Sequence, residues 1–353
     1  MKNFIVKNYK YFLAGIIIGL VALALTLMGN PQNMGFCIAC FLRDIAGSTG
    51  MHSAAIVQYF RPEIVGIVLG AFVISVICKD FKPTGGSAPV TRFILGVAVM
   101  VGALIFLGCP LRMVLRIGGG DMNAVIGLLG FIAGIGVGSI FLNKGFTLKR
   151  SYDLPLLEGA IAPASSAFLF ILFLAAPFLF VFSESGPGSM HAPIWAALIG
   201  GLIVGIVGQR LRVCFVGGIR DSIMFRQFQM IYPFIMVIVT MIIGNLINGT
   251  FNFGFENQPV AHTDWLWNFL GLFIVGWGST FLGGCPFRQL VLAGSGNSDS
   301  TVTVIGMVVG AAMAHNFGLA SSAAGVTTNG MIAGGICIVV ILIIGLLNRK
   351  KVA

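Results

Sequence analysis

In this chain of 353 residues, 57% of side chains are hydrophobic and only 9% are charged, at a mean hydropathy of +0.99. That is far from the roughly 25% charge of a soluble domain and excludes a soluble globular enzyme. The formal charge of +10 reads as the Lys and Arg excess of one membrane face rather than as a nucleic-acid footprint.

Apolar runs of the length that a ~30 Å hydrocarbon core requires define the elements. The first, Phe12 to Gly29, lacks a small-residue cleavage site and is read as a retained helix rather than a signal peptide. Further runs at 63–78, 92–107, 122–142 and 159–182 complete one half, and runs at 193–208, 231–248, 265–283, 302–318 and 330–347 the other. Alternating the faces places Lys2, Lys7, Lys10, Lys79, Lys82, Arg92, Lys144, Lys149, Arg150, Arg210, Arg212, Arg220, Arg226, Arg288, Arg349, Lys350 and Lys351 on one side. Only Arg43, Arg61, Arg112 and Arg116 fall on the other. This asymmetry predicts that both termini face the cytoplasm.

The chain repeats itself. Gly108 to Arg112, GCPLR, returns as GCPFR at Gly284 to Arg288, and Cys37 with Arg43-Asp44 returns as Cys214 with Arg220-Asp221. A unit of five spans is odd, so the second copy enters the membrane upside down. The expected fold is an all-α polytopic membrane protein of about ten spans in two inverted repeats, with the short motif segments as re-entrant helices. It forms one integral domain, 1–353, with halves 1–182 and 183–353.

Proline directly after cysteine suits the first helical turn, so Cys109 and Cys285 are expected as N-caps, with Gly118 to Gly120 and Gly294 to Gly296 ending short helices. A helix N-terminus offers free N–H groups to an anion. The arginine three residues on shares the helix face, so Cys109 with Arg112 and Cys285 with Arg288 can address one small anion. The bland alternative is a helix start followed by a snorkelling arginine. Two matched copies in so apolar a bundle weigh against it, because an unpaired membrane arginine is costly. Arg116, without a counterpart, is assigned to the vestibule or headgroups. Adjacent residues do not share a helical face, so Arg43 and Asp44, like Arg220 and Asp221, are expected to reach different elements. Substrate contact and a structural role both stay open for Arg43 and Arg220.

Cys37 and Cys214 keep their spacing and join the candidate site. Cys40 makes a Cys-x2-Cys pair with Cys37, but its second-half counterpart is Gly217 and only His52 lies near, so no zinc or other metal is expected. Cys78 and Cys337 read as buried apolar groups. His315, within a span, reads as an interhelical hydrogen-bonding group, and Trp277 as a candidate cavity residue. Without a Walker element, ATP hydrolysis is not supported, and neither a cofactor nor an enzymatic step is expected.

The paired Gly-Cys-Pro-x-Arg elements in a glycine-rich multi-span chain resemble the YeeE/YedE family of bacterial sulfur-compound transporters, and its selenium-associated YedE branch in length and pattern. The resemblance implies uptake of a small sulfur anion such as thiosulfate, or a selenium analogue, across the bacterial inner membrane. It implies that Cys109 and Cys285, with Cys37 and Cys214, pass the substrate by thiol to sulfur hydrogen bonds, and that a cytosolic TusA-like sulfur-carrier protein is a partner. The competing class is a transmembrane thiol–disulfide electron carrier. The arginine three residues after each Cys-Pro favours the transporter.

Overall fold

The computed structural model describes residues 2–349, with side chains from residue 8 onward. Lys350 and Lys351, and the side chains of Lys2 and Lys7, lie outside the described residues. Among the described residues the regular structure is helical apart from one two-stranded antiparallel ribbon and a few isolated bridges.

The first half runs α1 (Lys2–Leu27), α2 (Ile38–Ser48), α3 (Pro62–Ile77), β1 (Thr84–Gly85), α4 (Pro89–Phe106), α5 (Pro110–Gly118), α6 (Met122–Asn143), β2 (Tyr152–Asp153) and α7 (Leu156–Ala175). The second runs α8 (Ile194–Arg210), α9 (Phe215–Phe225), α10 (Tyr232–Ile247), α11 (Trp265–Leu282), α12 (Pro286–Gly294), α13 (Ser298–Asn316) and α14 (Thr328–Leu347). Each half therefore holds five long helices and two short ones in the same order. Eight helical stretches of the described residues are long and apolar enough to cross a membrane. α3, 16 residues and apolar, and α13, which opens on the polar Ser-Asp-Ser-Thr, take the other two long-helix places.

Local chemistry sets the short helices. Pro110 and Pro286 occupy the first turns of α5 and α12, where a missing N–H costs nothing. Gly120 and Gly296, at φ +95° and +99°, turn the chain out of each helix. Asp121 then caps α6 by accepting from Asn123 N at 2.9 Å, and Asn297 caps α13 by accepting from Ser300 N at 2.7 Å.

The halves interlock rather than sit side by side. α3 packs along α8, as α1 does along α10; α6 packs along α11, as α4 does along α13; and α4 meets α11. Glycine permits these approaches: a Cβ on Gly66 would lie 2.4 Å from Leu198 O, and one on Gly201 2.3 Å from Glu63 O. α7 and α14 break the symmetry, α7 lying on α3 and α14 on α4 and α11.

Loops gather at two ends. At the end shared with α1's start, Lys82 N donates to Ser295 O, Ser87 Oγ to Leu148 O, and Phe146 bridges Arg349. At the opposite end, Asn252 N donates to Gly119 O, Ser321 N to Leu104 O and Asn316 Nδ2 to Met51 O. Arg43, Arg61, Arg112 and Arg116 belong to this opposite end, and all four are buried. Arg116 does not face a vestibule: its Nε donates to Asp121 Oδ2 at 2.6 Å and its guanidinium stacks on Phe106. Trp277 lies among Phe141, Phe273 and Phe281 rather than on a cavity.

Candidate functional site

Cys37 is the N-cap of α2, its thiol accepting from Cys40 N at 3.3 Å. Cys109 is the N-cap of α5. The fold brings these two helix starts together, so the Cys109 thiol meets the Cys37 thiol and lies beside the backbone N–H groups of Ala39 and Arg112. Cys40, one turn into α2, joins them: its Sγ is 2.8 Å from that of Cys37, and Arg112 Nη1 approaches it at 3.4 Å. All three cysteines are free thiols and fully buried.

The second half repeats the construction at the other end. Cys214 caps α9, its thiol accepting from Gly217 N at 3.2 Å, and Cys285 caps α12. The Cys285 thiol meets the Cys214 thiol and lies beside the N–H groups of Phe215 and Arg288. Each half thus pairs two helix N-termini, two thiols and one arginine. Backbone N–H groups and a guanidinium suit the charged oxygens of an anion, and polarisable sulfur suits a soft terminal atom.

The two arginines differ in what surrounds them. Arg112 is fully buried and already occupied by main-chain carbonyls: Asn33 O accepts from Nε at 3.2 Å, Val260 O from Nη2 at 3.0 Å, and Leu107 O from Nη1. Arg288 is partly exposed and donates through Nη1 to Gly208 O at 3.3 Å and Gln209 Oε1 at 3.2 Å. It lines a cavity of about 350 Å³ together with Lys82, Arg210, Arg212 and Asn297. Four cations against one acid, Asp80, make this a basic vestibule. A depression of about 500 Å³ at the opposite end, over His52, Gln58 and Asn316, is lined by no Lys or Arg.

Loop length accounts for the difference. The α3–α4 connection, residues 78–88, is matched by the α10–α11 connection, residues 248–264, which is six residues longer. Both make the same anchor: Lys82 N and Thr84 N donate to Ser295 O and Gly296 O, and Asn252 N and Gly254 N to Gly119 O and Gly120 O. The longer loop then continues over α4, where His262 Nε2 contacts Ile105 O at 2.8 Å and Val260 O reaches Arg112. The shorter loop leaves Arg288 open.

Arg43 and Arg220 do not reach separate elements from their neighbouring acids. Arg43 binds Asp44 directly at 2.7 Å and Arg220 binds Asp221 at 2.8 Å. Asp44 also holds Arg61 at 2.8 Å, forming a buried triad, whereas the Arg220 pair is about a quarter exposed. His315 does not make the expected interhelical hydrogen bond through Nε2, which has no partner among the described residues; its ring tilts against that of His52, centroids 4.6 Å apart. Among the described residues no cluster of His, Cys, Asp or Glu could hold a metal ion. Sequence reasoning left Cys40 out of the site, although its place three residues after Cys37 puts both on one helix face, and it missed the vestibule cations Lys82, Arg210 and Arg212.

Residues 210–347, which carry Cys214, Cys285 and Arg288, match the family model described as Sulphur transport. The chain is also 28% identical over 120 residues to the thiosulfate transporter TsuA of Escherichia coli (strain K12). The similarity covers 34% of this chain and 34% of that transporter's length. Through the internal repeat, Cys214, Cys285 and Arg288 of this stretch have counterparts at Cys37, Cys109 and Arg112.

Proposed function

We propose that this protein imports a small sulfur- or selenium-containing anion of the thiosulfate type across the bacterial inner membrane, with both termini cytoplasmic. The observation that carries the reading is the pairing of two capping cysteines beside an arginine, built once in each half and at opposite ends of the bundle. An anion with charged oxygens and a soft terminal chalcogen matches both parts of such a site. Cys37, Cys109 and Arg112 receive it, Cys214, Cys285 and Arg288 release it, and the basic vestibule draws it to the cytoplasmic side. S–H groups are weak donors, and several weak sites in series favour passage over retention. Likeness to a thiosulfate transporter supports the sulfur form; the selenium form rests on the resemblance to the YedE branch.

The chain acts as one integral domain with halves 1–182 and 183–353, and Arg43 and Arg220 orient the re-entrant helices through Asp44 and Asp221. A TusA-like sulfur carrier at the vestibule would accept the cargo. Uptake of labelled thiosulfate and selenite into proteoliposomes tests the reading, with unlabelled anions as competitors. Saturable uptake of one of them supports it, and no uptake of any sulfur or selenium anion refutes it.

The 2.8 Å contact between the Cys37 and Cys40 thiols favours one other reading, a thiol–disulfide electron carrier. A Cys37–Cys40 disulfide that cycles with redox poise during turnover would replace the transporter reading.

A further inference from the structure

The carbonyls that hold Arg112 share an unusual feature. Asn33, Leu107 and Val260 have φ of +57°, +62° and +51°, the left-handed region that side chains disfavour, most of all a β-branched one such as valine. Only nine non-glycine residues among those described have positive φ, and three of them supply the three carbonyls on this one guanidinium. They come from three separate segments: the α1–α2 connection, the end of α4 and the α10–α11 loop. In the second half the residue matching Leu107 is Gly283, free to adopt φ +79° at no cost, and Gln289 Nε2 rather than an arginine holds the neighbouring carbonyls of Leu282 and Gly284. Arg212 and Lys79, at φ +53° and +57°, are left-handed in the matching connections at the other end, α8–α9 and α3–α4, but Arg288 donates to Gly208 O and Gln209 Oε1 instead, so only on the Arg112 side does one guanidinium hold the left-handed carbonyls.

Strained backbone persists where something holds it. Here the holder is a buried cation whose only hydrogen-bond partners among the described residues, apart from the Cys40 thiol, are these carbonyls. Of the five guanidinium N–H groups three are committed to Asn33, Leu107 and Val260 and one to the Cys40 thiol, which leaves a single Nη2 N–H, one short of the pair that a bidentate contact to an oxyanion takes. A bidentate anion on Arg112 would displace at least one of these carbonyls.

We propose that residues 258–262 are a strained lid and Arg112 its latch, so that full capping of Arg112 by the three carbonyls and bidentate binding of an anion there are mutually exclusive. Release of the latch lets the left-handed residues relax and opens a route to Cys40, Cys37 and Cys109. The vestibule at Arg288 has no such lid, so the structure is closed over Arg112 at one end and open as far as Arg288 at the other. The lid's role as a substrate gate rests on the transport reading above; its existence as a lid does not.

The test uses the full chain in lipid nanodiscs, where both ends meet solvent, and a charged methanethiosulfonate reagent. Labelling of each cysteine is followed by mass spectrometry, with no substrate present. Val260→Asn and Leu107→Gly suit the left-handed conformation better, so each is expected to slow labelling of Cys40 and Cys109 by roughly fivefold. Arg112→Gln removes the latch and is expected to speed it. Labelling of Cys214 and Cys285 should hold at the unsubstituted rate, which separates a lid effect from a folding defect. Unchanged or faster labelling of Cys40 and Cys109 in both Val260→Asn and Leu107→Gly would overturn the lid. Because no anion takes part, this outcome is independent of whether sulfur anions are carried.

Discussion

Arg112 and Arg288 stand at matching positions 176 residues apart, and only Arg288 opens to solvent. Arg112 is shut in by Val260, which lies in a loop six residues longer than its counterpart. Symmetric motifs thus lie in asymmetric surroundings. In nanodiscs the thiols near Arg288 should react with a charged thiol reagent before those near Arg112. Equal rates at Cys214 and Cys37 would contradict the closed assignment of the first-half cluster.

Asp44 is fully buried between Arg43 and Arg61, so Asp44→Asn leaves two buried guanidinium groups short of a counter-charge. Breaking a buried pair costs about 3–5 kcal/mol. Asp221, matched in sequence but about a quarter exposed, should lose no more than about 1 kcal/mol as Asp221→Asn. Thermal unfolding in detergent compares the two; similar losses would show that burial is not what separates them.

Close packing between the halves is tested at Gly201. A Cβ there meets Glu63 O at 2.3 Å and Gly66 Cα at 2.9 Å, main-chain atoms that cannot swing aside. Gly201→Ala is expected to destabilise by about 1–3 kcal/mol or more. Gly136 has open space around its Cβ position, and Gly136→Ala should be neutral or stabilise by up to about 1 kcal/mol. The same unfolding assay reads both.

The basic vestibule should act as an electrostatic funnel. Arg212→Gln with Lys82→Gln removes two exposed cations from its wall while leaving Arg288 in place. The KM for anion presented on that side should rise roughly three- to tenfold at low salt, and the difference should shrink in high salt as the charges are screened. A KM that does not change with either substitution or salt would remove the vestibule from the pathway.

Much of this was legible in the sequence, for identifiable reasons. Cys-Pro fixed the starts of α5 and α12 because proline in the first turn is a local rule, and the ten apolar runs fall on the ten long helices, although only eight stretches are long and apolar enough to span, α3 being short and α13 polar at its start. The pairing of Cys37 with Cys109 was not legible. It depends on how α2 and α5 approach in space, and spacing along the chain carries no information about that. The Arg43–Asp44 contact was misjudged because the side-by-side rule describes where side chains leave a helix, whereas a long guanidinium can fold back onto its neighbour. Arg116 was misplaced because its partner Asp121 lies beyond the glycine turn that ends α5. The lid over Arg112 needed φ angles and carbonyl directions, which no residue type announces when the residues are valine and leucine.

The central claim is that the paired capping thiols carry the anion. Its most direct test is the initial rate of labelled thiosulfate uptake into proteoliposomes by Cys109→Ala and Cys285→Ala, each checked for folding by size-exclusion chromatography and thermal unfolding. The account predicts that each variant folds and loses roughly tenfold or more of the rate, since each removes one thiol contact from the route. Uptake at the unsubstituted rate by both variants would contradict it.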